Sequence, residues 1–202
     1  MIQQATQIGN VEALIIGEKT DKVFLFVHGY GGNKEEAVAF AEGVIPLGYQ
    51  VIGVDLPLME MPEVVIALLT NVVQYLKKNY CSINVRANSI GCWFSMLAFQ
   101  HEPIGKALFV SPLLDMKTFI DCSDHRDEVY YEWVLSHPIE IWNPETFILR
   151  PQIDKVVVEK VYESFLSKHP CHVEIVENGE HWFHTPEQLE ILKKWEYKTV
   201  IG

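Results

Sequence analysis

The sequence predicts an α/β protein, a three-layer α/β/α sandwich built around a mostly parallel sheet. Short apolar runs alternate with stretches of helical periodicity from end to end. Such alternation implies parallel strands covered on both faces by helices. The 202 residues suit a single domain with a sizeable core, and no repeat, low-complexity tract or linker divides them. Ligands bind sheets of this kind at the carboxyl ends of the strands, and the residues suited to chemistry fall just after strands.

Val11–Ile16 and Val23–Val27 are apolar runs joined by Gly17-Glu18-Lys19-Thr20-Asp21-Lys22, which reads as a hairpin. Lys34 to Val44 has helical periodicity, and Gly48 breaks the chain after it. Gln50–Val54 reads as a strand. Pro62 can open a helix running to Lys78, with Val64, Val65, Leu68, Leu69, Val72 and Leu76 on its apolar face. Ile83 to Asn88 reads as a strand and Gly91 to Phe99 as a buried helix. Lys106–Val110 and Thr146–Leu149 are strands ended by Ser111-Pro112 and Arg150-Pro151. Lys155–Lys168 is expected to be helical and His172–Val176 extended. A last helix starts at Pro186, with Glu187 in its first turn, and runs to Trp195.

The stretch from Leu113 to Glu145 departs from the alternation. It is long for a connection, it follows a strand at the functional rim, and it carries Tyr130, Tyr131, Trp133 and Trp142. One reading is a small cap or lid at about 113–145, with Tyr130, Trp133 and Trp142 lining a substrate pocket. Another is that these aromatics pack on the domain edge. A third is that they form a homodimer surface.

Hydrophobic residues make up 49% of the chain and charged residues 21%, an ordinary globular balance. The net charge of −11 argues against nucleic acid or an anionic membrane surface as partner. Cys81, Cys92, Cys122 and Cys171 form neither a CxxC pair nor a zinc pattern, and Cys92 is expected to be buried. Free thiols fit a cytoplasmic protein. Met1 to Gln7 lacks a charged n-region and an apolar h-region, so no signal peptide is expected, and the apolar runs are too short to span a bilayer.

The chemistry centres on Ser89, in Ala87-Asn88-Ser89-Ile90-Gly91 between a strand and a helix. Small residues two positions either side allow the sharp turn of a nucleophile elbow, which lifts a serine hydroxyl off the sheet. A serine there could also simply cap the helix. A free hydroxyl is a poor nucleophile at neutral pH and needs a base. His181 lies beyond the last strand, after Gly179, which lets the loop turn back over the rim. His184 is its rival, one helical turn on and nearer the last helix. His101, His125, His137, His169 and His172 read as surface or packing residues. Asp154, past the penultimate strand, suits the carboxylate that orients a catalytic imidazole; it can also cap a helix from Lys155. Asp55 reads as a structural strand-end acid.

Upstream, Val27-His28-Gly29-Tyr30-Gly31-Gly32 is a strand running into a glycine-rich turn without a phosphate-binding spacing. It can bring the backbone N–H of Tyr30, with that of Ile90, to an acyl-transfer oxyanion. His28 is expected to have a structural hydrogen-bonding role.

The order Ser89, Asp154, His181 resembles that of the α/β-hydrolases. The turn at His28-Gly29-Tyr30-Gly31-Gly32 resembles that family's HG-x-GG oxyanion segment. Val54-Asp55-Leu56-Pro57 resembles its DxPG-type segment, and Ala87-Asn88-Ser89-Ile90-Gly91 resembles G-x-S-x-G. Asp154 before Val157 resembles the acid segment, and Gly179-Glu180-His181 the histidine loop. The likeness covers nearly the whole chain. Ala87 replaces the first glycine, Arg150-Pro151 the usual His-Gly, and Leu58 follows Pro57 where glycine is common. Arg86 takes a usually apolar position beside the nucleophile. A buried guanidinium needs an anionic partner, so Arg86 is expected to pair with a nearby carboxylate.

The resemblance implies a serine hydrolase that cleaves a small carboxylic ester through an acyl-enzyme, with a small-molecule acyl substrate and neither metal nor organic cofactor. A serine aminopeptidase, a thioesterase or a carbon–carbon bond hydrolase would use the same residues. A lone acid exposed in the pocket would favour a peptide amine; a dry aromatic pocket would favour an ester. A non-catalytic binding module on the same fold would leave Ser89, His181 and Asp154 out of hydrogen-bonding reach.

Overall fold

A computed structural model describes residues 1–202. One sheet holds eight strands: β1 (Gln3–Ile8), β2 (Val11–Ile16), β3 (Lys22–Val27), β4 (Gln50–Val54), β5 (Ser82–Asn88), β6 (Ile104–Val110), β7 (Glu145–Pro151) and β8 (His172–Val176). Their spatial order is β1-β2-β4-β3-β5-β6-β7-β8. The β1–β2 and β2–β4 pairs are antiparallel, and every pair from β4 to β8 is parallel. The helices are α1 (Ala37–Val44), α2 (Pro62–Asn79), α3 (Ile90–Phe99), α4 (Met116–Asp121), α5 (Glu128–Ser136), α6 (Glu159–Leu166) and α7 (Pro186–Ile201).

The sheet separates two apolar layers, and β3 shows why its residues are apolar throughout. Val23, Leu25 and Val27 enter the layer formed with α2, α3 and α6. Phe24 and Phe26, pointing the other way, enter the layer formed with α1 and α7. Period-two alternation thus puts an apolar side chain against helices on each face. Phe24 is fully buried and meets Phe40 of α1 edge-on, with centroids 5.1 Å apart; burying such a ring contributes about 2–3 kcal/mol. Cys92 is buried within the first layer.

The hairpin expected between Val11–Ile16 and Val23–Val27 does not form, because β4 lies between them. The connecting residues step across the start of β4, where the Gln50 side-chain amide donates to the Gly17 carbonyl at 3.0 Å. With large apolar groups on both faces, β3 takes a central slot and leaves β2 to pair with β1 through the Gly9-Asn10 turn. β1 itself was not expected: it is a polar edge strand, exposed along most of its length.

The helix expected over Lys155–Lys168 is confined to α6, because Asp154 accepts the amides of Val156 and Val157 in a turn, both at 2.8 Å. At the C-terminal end, α7 begins at Pro186 as expected, under a capping box of Thr185 and Gln188, and continues beyond Trp195 to Ile201. Residues 113–145 carry α4 and α5. No helix is long and apolar enough to cross a membrane.

Candidate active site

Ser89 links β5 to α3 with φ 48° and ψ −123°, a conformation that costs an L-residue about 1–3 kcal/mol. Three backbone hydrogen bonds hold it. The Ser89 amide donates to the Val110 carbonyl at 3.0 Å, and the Ser89 carbonyl accepts from Leu113 at 3.0 Å and Cys92 at 3.1 Å. Glycines permit the crowding around it: a β-carbon on Gly29 would lie 3.3 Å from that of Ser89.

His181 follows β8 through a turn in which Asn178 has φ 55° and the Gly179 amide donates to the Val176 carbonyl at 3.0 Å. Its imidazole is buried, with Nε2 2.9 Å from Ser89 Oγ. Nδ1 lies 2.9 Å from Asp154 Oδ2 and 3.1 Å from Oδ1. Asp154 also accepts the amides of Val156 and Val157 on Oδ1, and the Tyr162 hydroxyl donates to Oδ2 at 3.2 Å. Burial pushes the Asp154 carboxyl up. The hydrogen bond from His181 and the two amides outweigh burial and hold it below its ordinary value. An ionised carboxylate only accepts, so Nδ1 carries the proton and Nε2 is left to accept from Ser89 Oγ–H. Asp154 therefore holds the turn that precedes α6 and the imidazole together.

Tyr162 was not foreseen from the sequence; its only signal is a place on the buried face of α6, eight residues after Asp154. Its hydroxyl is pushed well above the ordinary phenol value by burial and then by the Asp154 charge, which keeps it a donor.

The glycine-rich turn after β3 faces the elbow. The Tyr30 amide has no partner within the chain. Ile90 is the first residue of α3, so its amide is one of the donors a helix leaves free at its start. Tyr30 and Ile90 line the same cavity as Ser89. His28 has a structural place: its Nδ1 bonds the Gly29 carbonyl at 2.7 Å and its Nε2 accepts from the Leu56 amide at 3.1 Å. Asp55 is structural too, accepting the Lys34 amide at 2.6 Å and pairing with the Lys34 ammonium. His184 lies on the cavity wall, exposed, with Nδ1 2.7 Å from the Trp182 carbonyl rather than at Ser89.

Arg86 points from β5 into the α1/α7 layer and finds the expected carboxylate on α7. Its Nε donates to Glu196 Oε1 at 2.7 Å, and both side chains are buried. Nη1 donates to the Ala87 carbonyl at 3.0 Å and to Asn88 Oδ1 at 2.6 Å, so the guanidinium fastens the two residues preceding the nucleophile. Burial pushes the Glu196 carboxyl up, and the Arg86 charge only partly offsets it.

A cavity of about 760 Å³ opens above Ser89 and His181, with Val110, Leu113, Phe119, Val156, Phe183 and Leu192 among its apolar walls. Tyr130, Trp133 and Trp142 are not on its wall. Tyr130 and Trp133 lie against Trp93 of α3, with centroids 6.3 and 6.5 Å apart. Trp142 stacks on Phe109 at 5.8 Å and donates its indole N–H to Thr146 at 2.8 Å. Tyr130 and Trp133 face α3 from α5, and Trp142 faces β6 from the link before β7, so these aromatics pack on the domain edge; of residues 113–145, Leu113 and Phe119 reach the cavity. No group of three or more His, Cys, Asp or Glu side chains is placed to hold a metal ion.

No family model and no curated protein sequence matches the chain. Solved structures do. Est1E from Butyrivibrio proteoclasticus superposes with a TM-score of 0.82 at 14% identity, over 98% of this chain and 97% of that one. An alpha-beta serine hydrolase homologue from Coxiella burnetii gives 0.73 at 12%, over 98% and 97%. XC6422 from Xanthomonas campestris, described as an a/b serine hydrolase without lid, gives 0.70 at 12%, over 98% and 94%. Strand order, layers and these superpositions agree: this chain has the α/β-hydrolase fold.

Proposed function

We propose that the protein is a serine hydrolase that cleaves a small carboxylic ester through an acyl-enzyme. One observation carries the reading: an unbroken hydrogen-bond chain from Ser89 Oγ through the His181 ring to Asp154, starting at a strained elbow. The positive φ of Ser89, tied by three backbone bonds at the residue that carries the hydroxyl, supports a functional reading. A binding module would not need these three groups within hydrogen-bond reach.

In this mechanism Ser89 Oγ attacks the ester carbonyl carbon as its proton passes to His181 Nε2. The carbonyl oxygen becomes an oxyanion, stabilised by the amides of Tyr30 and Ile90. Collapse breaks the bond to the alkoxy oxygen, which leaves with the proton from Nε2. Water then gives a proton to Nε2 and attacks the acyl carbon, releasing the carboxylic acid and restoring Ser89. Throughout, Asp154 holds the ring and stabilises the imidazolium. Thioester and carbon–carbon hydrolysis would run on the same groups. The test is turnover of short-chain esters: Ser89→Ala should lower kcat by about a thousandfold or more, and wild-type activity in that variant would refute the assignment.

Glu36 favours a second reading. It is exposed, lines the cavity, and has no cation within salt-bridge range; its one partner is the Asn88 side-chain amide at 3.4 Å. A free carboxylate beside the nucleophile suits a substrate ammonium, as an aminopeptidase would need. Cleavage of amino-acid anilides in preference to neutral esters would decide for it.

A further inference from the structure

We infer that Trp182 and Tyr30 seat the alcohol portion of this small ester, and that this portion is an apolar, ring-sized group. The inference rests on the serine-hydrolase reading and adds the substrate class.

Two observations lead to it. The first is where exposed apolar surface lies. Met59 is 73% exposed, and Tyr30 and Trp182 are each 62% exposed; the three are among the four most exposed large apolar side chains of the protein. All three line the cavity above Ser89. Scattered exposed apolar residues need no explanation, but a cluster at one opening marks a contact surface. None of the three is needed by the core.

The second is the direction of proton transfer. The proton that His181 takes from Ser89 must be delivered to the leaving alkoxy oxygen, which therefore sits at Nε2. Whatever that oxygen carries extends past the imidazole, and Trp182 is the next residue. Its ring stands edge-on to the His181 ring, centroids 5.1 Å apart at 84°. Its backbone carbonyl is held by His184 at 2.7 Å, so the indole is presented from a fixed point of the loop. An alcohol with an apolar body would cover this indole. The acyl group, bonded to Ser89, has instead the walls formed by Val110, Leu113 and Val156. A negatively charged alcohol would meet Glu36 at the same opening and a net charge of −11.

The test compares the acetates of ethanol and of 2-(2-naphthyl)ethanol. Both give the same acetyl-enzyme and release primary alcohols of similar acidity, so selectivity in kcat/KM reads the alcohol seat alone. Wild type should prefer the naphthylethyl ester about tenfold or more. Trp182→Ala should remove most of that preference, and Trp182→Phe, which restores an aromatic face, should keep most of it. Equal kcat/KM for the two esters in wild type would overturn the inference. So would a uniform loss on both esters in Trp182→Ala, since Trp182 would then only support His181. Failure of wild type to form an acetyl-enzyme from either ester would instead refute the serine-hydrolase reading beneath it.

Discussion

Gly91 faces the carbonyl oxygen of His28 so closely that a β-carbon at 91 would stand 2.2 Å from it, and 3.0 Å from Val27 Cγ1. Both obstacles belong to β3 and its turn, which carries the Tyr30 amide. The start of α3 and the glycine-rich turn proposed to bind the oxyanion are therefore seated against each other through a missing side chain. Gly91→Ala must push the turn away or shift the helix. The expected result is a loss of about 1–3 kcal/mol in urea unfolding, with ester turnover falling far more than stability accounts for. A Gly91→Ala variant with normal turnover would show that this contact does not set the oxyanion geometry.

Asp154 gives a pH dependence of defined sign. Its carboxyl is held below the ordinary 3.8 in the folded protein, because His181 and two amides outweigh burial. The unfolded chain thus takes up the proton first on acidification. The stability Asp154 contributes is fully present above about pH 5 and is lost as pH falls through the unfolded and then the folded value. Asp115 is also held low, burial being outweighed by Ser164 and Thr118, and acts in the same direction. Thermal unfolding should show Tm falling from about pH 5 to pH 2, and Asp154→Asn should fall less over that window. An unchanged slope in the variant would mean the carboxylate is not selectively stabilised in the fold.

The Arg86–Glu196 pair joins β5 to α7 across 110 positions of sequence. Removing one partner strands the other charge in a buried layer, so Arg86→Met or Glu196→Leu should each cost about 3–5 kcal/mol. The double variant should recover most of that loss, because two apolar side chains suit the layer beside Phe26 and Phe40. Additive losses in denaturant midpoints would refute the pairing argument.

Much of the site was legible because its parts are local. A strand followed by Ser between Ala87 and Gly91, a Gly before His181 and an acid just past a strand each declare themselves within a few residues, and parallel topology brings strand ends to one rim. Partners chosen by tertiary approach were not legible. Glu196 sits on a helix far along the chain, and Tyr162 reads as one more core aromatic until α6 is placed beside Asp154. The aromatics of residues 113–145 misled for the same reason: composition reports Tyr130, Trp133 and Trp142 but not which side of their segment meets α3 and β6. The β2–β3 hairpin misled because a six-residue link can step over a strand as readily as turn back, and only β3's two apolar faces argue for the central slot.

Ser111 is a second strained serine, with φ 45°, and its buried Oγ has no hydrogen-bond partner. Its amide is tied to the Leu149 carbonyl at 2.9 Å, which holds the conformation in place. Ser111→Gly relieves the backbone and removes the unpartnered hydroxyl, and should stabilise the fold by about 1 kcal/mol after the entropy cost of glycine. A lower Tm in this variant would mean the hydroxyl has a role the fold depends on.

Intact-mass analysis after reaction with a fluorophosphonate, on wild type and Ser89→Ala, tests most directly whether the Ser89–His181–Asp154 chain is an activated nucleophile. One covalent adduct on wild type and none on Ser89→Ala is the predicted result. Folded wild-type protein that remains unlabelled, or a variant that labels equally, would contradict it.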